Sequence, residues 1–298
     1  MSNQLALRES KNAQSNGEVN LNLQDKQIDS SRLKLLLSKA LTNNFIQSLG
    51  LQLNGNIIGD KGLQELVSYL NTLQKLEKLS LFLSGNKFSI EGVQKLLNFK
   101  LNSNLKNLTL QLSNNMLGQE AIRVLGLFIS KLSSLKQLNL ILDNCDLGNC
   151  GAIYLCQQIK GLKKLNELYL NLNDNSITDN GVISSVNEIC QIKSLASLGL
   201  DICSHKIDSQ NCKQYQYQLY YNVISNDCVK YIIKTIGSQL TGLKVLNLDI
   251  LYYTNQSCQL YKKQGYEGLE KDLIFSKSEI SNLLENTFSQ IQTKQIKI

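Results

Sequence analysis

The chain has 298 residues and a net charge of +7, from 31 Lys and Arg against 24 Asp and Glu. Only Arg8, Arg32 and Arg123 are arginines, which argues against a dedicated nucleic-acid reader, because bidentate phosphate recognition relies on the guanidinium fork. The opening MSNQLALRES lacks a basic segment followed by an apolar run, and no apolar run approaches bilayer-crossing length. The expected setting is therefore intracellular and cytoplasmic, with the eight cysteines reduced, and with neither nucleic acid nor membrane as a partner.

Residues 1–17 are polar and without period, and read as a flexible tail. Residues 18–291 read as one repeating unit. Its clearest copy is LKNLTLQLSNNML at 105–117. Leu108, Leu110 and Leu112 alternate as on a half-buried strand. Ile122, Leu125, Ile129 and Leu132 then follow at helical spacing. The second leucine of each copy is Leu49, Leu79, Leu108, Leu138, Leu168, Leu198 and Leu246, in steps of 30, 29, 30, 30, 30 and 48 residues. A weaker copy with Leu21, Leu23 and Ile28 precedes them. Strands are expected near 49–53, 79–83, 108–112, 138–142, 168–172, 198–202 and 246–250, all parallel, because a period of this size means strand, turn and helix stacked in a solenoid. Asp60, Ser89 and Thr178 stand before helices as caps. Gly62, Gly92, Gly151 and Gly181 share one repeat position, which a tight strand-to-helix connection explains.

The period breaks twice. After Ile207 the expected helix start, ISNDCV, is delayed by 17 residues to Ile224, so an insertion occupies about 208–223. The eighth copy breaks at the same point, with an insertion at about 252–274 before a final helix near Ser278 to Ile291. Residues 292–298 read as a short tail. QNCKQY at 210–215 matches QSCQLY at 256–261, which places Cys212 and Cys258 in equivalent positions and the two insertions side by side.

These copies, with the pattern LxxLxLxLxxNxL, resemble leucine-rich repeats of the ribonuclease-inhibitor type, whose usual motif LxxLxLxxNxL is two residues shorter in the strand. The lack of Pro and Trp and the abundance of Asn, Gln, Lys and Ile resemble the coding bias of ciliate-like genomes. The resemblance implies an α/β horseshoe of about eight parallel strands on the concave face, with helices on the convex face. It also implies that Asn56, Asn86, Asn115 and Asn175 turn inward and bond the turns of adjacent copies, with Cys145 and His205 in the same slot of the fifth and seventh copies. Exchange of Asn115 is then expected to be costly and exchange of Asn114 to cost little.

Three outward columns follow from the alternation. They run from Gly50 to Asn247, from Gln52 to Asp249 and from Asn54 to Leu251, and contain no Lys or Arg. They include Phe82, Tyr169, Asp201 and Asp249. Either they are a solvated sheet, or they bind a protein, as extended concave faces of solenoids do. Eight of the twelve tyrosines lie in or beside the insertions. Tyr215, Tyr217, Tyr253 and Tyr261 form either a binding edge or a cover over the open end of the core.

No metal or cofactor is expected. Cys203, His205 and Cys212 lack a fourth ligand at a usual spacing, with Cys203 on the concave face and His205 turned inward. GNIIGDKG at 55–62 lacks the phosphate-loop spacing. With one histidine, in the scaffold, there is no nucleophile–base pair. The function expected is a non-enzymatic protein-interaction module. The alternatives are a GTPase regulator resembling the Ran GTPase-activating proteins, whose acidic tail this chain lacks, and a structural segment of a larger assembly.

Overall fold

The structure is a computed structural model, and it describes residues 17–40, 45–100, 104–115, 117–203, 222, 224–250, 282–283, 285–289 and 293–297. The strands are β1 Glu18–Asn22, β2 Ser48–Gln52, β3 Lys78–Phe82, β4 Asn107–Gln111, β5 Gln137–Ile141, β6 Glu167–Asn171, β7 Ser197–Asp201, β8 Val245–Asp249 and β9 Thr293–Lys297. The helices are α1 Ser30–Ala40, α2 Gly59–Leu70, α3 Ile90–Lys95 with a 3-10 turn Leu96–Asn98, α4 Gly118–Ser130, α5 Gly148–Ile159, α6 Asp179–Ile189 and α7 Asn226–Gln239.

The strands form one open sheet in chain order, and every neighbouring pair is parallel. Each of β2 to β8 begins one residue before its expected start. Register is fixed by the leucines, since Leu79 pairs with Leu108, Leu108 with Leu138 and Leu138 with Leu168. Slippage by one residue would turn these apolar side chains out to water. The three inward apolar residues of each copy from β1 to β8, all leucines in β2 to β6, and the apolar stripe of each helix form one continuous core. Strands stack at about 4.8 Å and helices at roughly 8–10 Å, so the helical side is the longer and the sheet lines the concave side of an α/β solenoid.

The ninth strand lies in the segment read as a short tail. It continues the register, with Lys294 opposite Leu246 and Ile296 opposite Leu248. The leucine pattern could not announce it, because Thr293–Lys297 carries none. Residues 282, 283 and 285–287 are helical and Phe288 is buried, within the range expected for the final helix. Gly237 of α7 makes room there, since a Cβ would lie 2.1 Å from Thr287 Cγ2.

Between strand and helix the copies are joined by a ladder of buried amides. Asn115 accepts from the N–H groups of Asn86 at 2.9 Å and Phe88 at 3.2 Å, and donates to the carbonyls of Leu83 at 3.0 Å and Leu112 at 2.8 Å. Asn56, Asn86 and Asn175 hold the same position. In the fifth copy the Cys145 thiol donates to Leu112 O at 3.4 Å. Burial pushes its pKa far up, so it stays a donor. A thiol is the weaker partner, and Cys145→Asn is expected to stabilise by about 1 kcal/mol in urea unfolding.

The seventh rung corrects the sequence reading. It is made by Asn222, which accepts from Asn175 N and Ile177 N, both at 2.9 Å, and donates to Leu172 O at 2.8 Å. The slot expected for His205 is taken by Asn222. The insertion therefore enters before the ladder residue, between Cys203 and Asn222, and not after Ile207. Its length was legible from the delayed ISNDCV; its position was not, because His205 stands at the regular spacing.

The residue before each rung from Asn56 to Asn175 lies in the left-handed region, as at Asn114 with φ +56° and Asn144 with φ +53°. Asn114 also accepts from Asn144 Nδ2 at 2.8 Å. Its exchange is therefore not silent: Asn114→Ala is expected to cost about 1 kcal/mol, and Asn114→Gly less, in the same unfolding measurement.

Helix starts depart from the expected caps in an instructive way. Ser89 does accept from Glu91 N at 3.2 Å. Asp60, however, lies inside the first turn of α2 and reaches the next copy, accepting from Ser89 N at 2.8 Å and Ser89 Oγ at 2.6 Å. Asn149 likewise reaches Thr178, accepting from Thr178 N at 2.8 Å and donating through Nδ2 to Thr178 Oγ1 at 2.9 Å, and Thr178 makes no side-chain cap bond. Asp179 accepts from Ser225 N at 2.7 Å. These cross-copy bonds are what leaves no room at two of the repeat glycines: a Cβ on Gly92 would lie 2.1 Å from Asp60 Oδ1, and on Gly181 2.3 Å from Asn149 Oδ1.

The parallel arrangement also sorts charge between the two lateral edges. The helix-to-strand segments 71–78, 99–107, 131–137, 160–167, 190–197 and 240–245 carry eleven lysines against Glu77 and Glu167. The strand-to-helix turns with the first helical turns, at 23–32, 53–62, 83–92, 112–121, 142–151, 172–181 and 222–229, carry ten acidic and four basic residues.

Candidate interaction surface

The outward residues of the strands form the concave face. Phe82 on β3 is half-buried there. Tyr169 on β6, Asp201 on β7 and Asp249 on β8 meet at the far end, three strands from Phe82. Asp201 and Asp249 are register partners. The Tyr169 hydroxyl donates to an Asp201 carboxylate oxygen. Its ring lies over β7, where a Cβ on Gly199 would sit 2.5 Å from Tyr169 Cδ2. Glycine at 199 is thus the seat of the tyrosine ring. Desolvation, reinforced by the Asp201 bond, pushes the Tyr169 pKa far above that of a free phenol, so the hydroxyl remains a donor at neutral pH.

The third column is a brace more than an open surface. Ser84 N donates to Asn54 Oδ1 at 2.8 Å, Ser113 Oγ donates to Asp143, and Cys203 N donates to Asn173 Oδ1 at 2.5 Å. Ser113, Asn173 and Cys203 are buried. Cys203 therefore does not lie open on the concave face. Its thiol donates to Asp249 O at 3.0 Å and Asp249 Oδ1 at 3.2 Å. The Asp201–Asp249 pair is so held on both sides, by a phenol and by a thiol.

The early strand starts add a fourth outward column, which the leucine-centred reading passed over. It contains Glu18, Lys78 and Glu167, so the face is not free of cations. Tyr215, Tyr217, Tyr253 and Tyr261, with His205, Cys212, Cys258 and Leu251, lie outside the described residues. Cys156 and Cys190 lie in the helical layer, where burial pushes their thiols up to about 12 and about 11. Among the described residues no helix is long and apolar enough to cross a membrane.

The class these features define is an α/β repeat solenoid with an open parallel sheet and an acidic–aromatic corner. No protein-family model and no curated protein matches the chain.

Proposed function

We propose that the protein is a non-enzymatic, intracellular interaction module of the leucine-rich-repeat, ribonuclease-inhibitor type. Its concave face binds a protein partner, and the tyrosine-rich insertions extend that surface. The observation that carries this reading is the corner formed by Tyr169, Asp201 and Asp249. It offers aromatic area and carboxylates whose positions are fixed by hydrogen bonds on a rigid sheet, so little side-chain entropy is lost on binding.

The test is affinity capture with mass spectrometry from the native cell, followed by titration of the captured partner. Gln111→Arg with Asp249→Arg is expected to lower affinity at least about tenfold, or about 1.4 kcal/mol, with the repeat fold retained in the circular-dichroism spectrum. Tyr215→Ala with Tyr261→Ala tests the insertions in the same titration. A partner bound equally well by both variants, or stimulation of GTP hydrolysis by the protein, would overturn the proposal.

A further inference from the structure

The lysines on the strand-entry edge exceed what the helices require. Lysine near a helix C-terminus complements the macrodipole, but only within the last turn. Lys131 and Lys160 are C-caps and fit that account. Lys78, Lys136, Lys163 and Lys244 stand four or more residues beyond a helix end and do not. Lys106 is paired with Glu77 and Lys160 with Glu188. In contrast, Lys78, Lys131, Lys136, Lys163, Lys164 and Lys244 are exposed, and their side chains have no hydrogen-bond or ion-pair partner among the described residues.

The parallel copies bring these charges to one edge. Lys136 N donates to Lys106 O at 2.7 Å and Lys244 N to Ala196 O at 2.8 Å, so this edge is stitched copy to copy. The helix-to-strand segments that form this edge from α2 to β8 are all short, and the long insertion between β7 and α7 is a strand-to-helix connection of the opposite edge. From β3 to β8 the lysine-bearing edge runs about 25 Å at the strand ends, and further along the helix ends. None of its cations is Arg. Lysine is a hydrated point charge without the fork that reads single phosphates. At one end of the row stands Phe45, 64% exposed, with the Lys75 ammonium 4.5 Å from its ring centroid. An exposed aromatic among lysines fits a headgroup–acyl boundary, where both halves find a partner.

We propose that the strand-entry edge of the solenoid docks on an anionic phospholipid surface. An array of lysines spread over successive copies along one edge complements a plane of negative charge better than it does a single extended chain. Lying on a bilayer is distinct from spanning one, and the edge does so while leaving the concave face free and upright on the membrane.

The test is co-sedimentation of the full chain with vesicles of phosphatidylserine and phosphatidylcholine, against pure phosphatidylcholine. Binding to the anionic vesicles alone, weakening with salt, is expected. Lys131→Gln, Lys136→Gln and Lys163→Gln together should weaken it by roughly 100-fold, at about fivefold per lysine. Lys26→Gln, Lys61→Gln and Lys87→Gln, which remove the same charge from the opposite edge, should weaken it far less. Phe45→Ser should weaken binding and leave its salt dependence unchanged. Equal binding to both vesicles, absence of binding, equal loss in the two triple variants, or tighter binding of polyglutamate or duplex DNA than of vesicles at the same salt would each overturn the proposal. The wild-type vesicle comparison decides on its own if a variant fails to fold.

Discussion

Replacement of Asn115 by Ala is expected to lower the stability of the protein by about 3 kcal/mol. The side chain is buried, and its loss strands the N–H groups of Asn86 and Phe88 and weakens the bonding of the Leu83 and Leu112 carbonyls. These are backbone groups of two copies, out of reach of water, so the full desolvation cost is felt. Asn222→Ala is expected to have an effect of the same size, because that side chain makes the same bonds between the sixth and seventh copies. His205→Ala is expected to leave the unfolding midpoint unchanged. Urea unfolding of the three variants checks the ladder: a large loss for His205 and none for Asn222 would return the seventh rung to His205. Because stability in a solenoid is carried by neighbour interfaces, the Asn115 variant should also unfold in two steps, the copies on either side of the broken rung separating.

Gly92→Val is expected to cost about 4 kcal/mol, and Gly151→Ala at the same repeat position to stabilise by roughly 0.5–1 kcal/mol. The difference lies in the preceding copy. A Cβ on Gly92 would lie 2.1 Å from Asp60 Oδ1 and 3.1 Å from Asp60 Cα. Rotating the Asp60 side chain relieves only the first clash, and it breaks both bonds to Ser89. A Cβ on Gly151 meets Leu147 Cβ at 3.4 Å and Ile122 Cγ2 at 3.7 Å, which is ordinary contact. There the helix gains an Ala over a Gly at no steric cost. The fourth copy already carries Ala121 at this position, buried in α4. Thermal melts of the two variants moving in the same direction would show that the glycines serve the strand-to-helix connection and not the cross-copy bond.

The sequence by itself determined the unit and its repetition. Leucine alternation and a step of about 30 residues leave only one way to bury the apolar face of each strand and the stripe of each helix, and the seven strands expected from 49 to 250 form within one residue of those bounds. Of the candidate surface, Phe82, Tyr169, Asp201 and Asp249 were legible because alternation places a residue on one face of a strand. What alternation cannot say is which of those neighbours touch. Only the packed structure joins Tyr169 to Asp201 across two strands, seats its ring on Gly199 and turns Cys203 inward onto Asp249.

Tertiary structure also decided every feature whose cause lies outside its own copy. Asn222 took the rung because an insertion can enter on either side of a motif position, and spacing alone favours the nearer residue. Asp60 and Asn149 serve the following copy, an interaction between residues 29 apart that a local capping rule assigns to their own helix. β9 forms through backbone pairing to the exposed edge of β8, which requires no leucines. The lysines are scattered along the sequence at 78, 131, 136, 163, 164 and 244. They become one array because parallel strands bring every strand entry to the same edge, and charge, unlike apolar periodicity, leaves no trace in a single copy of where its partners in other copies will stand.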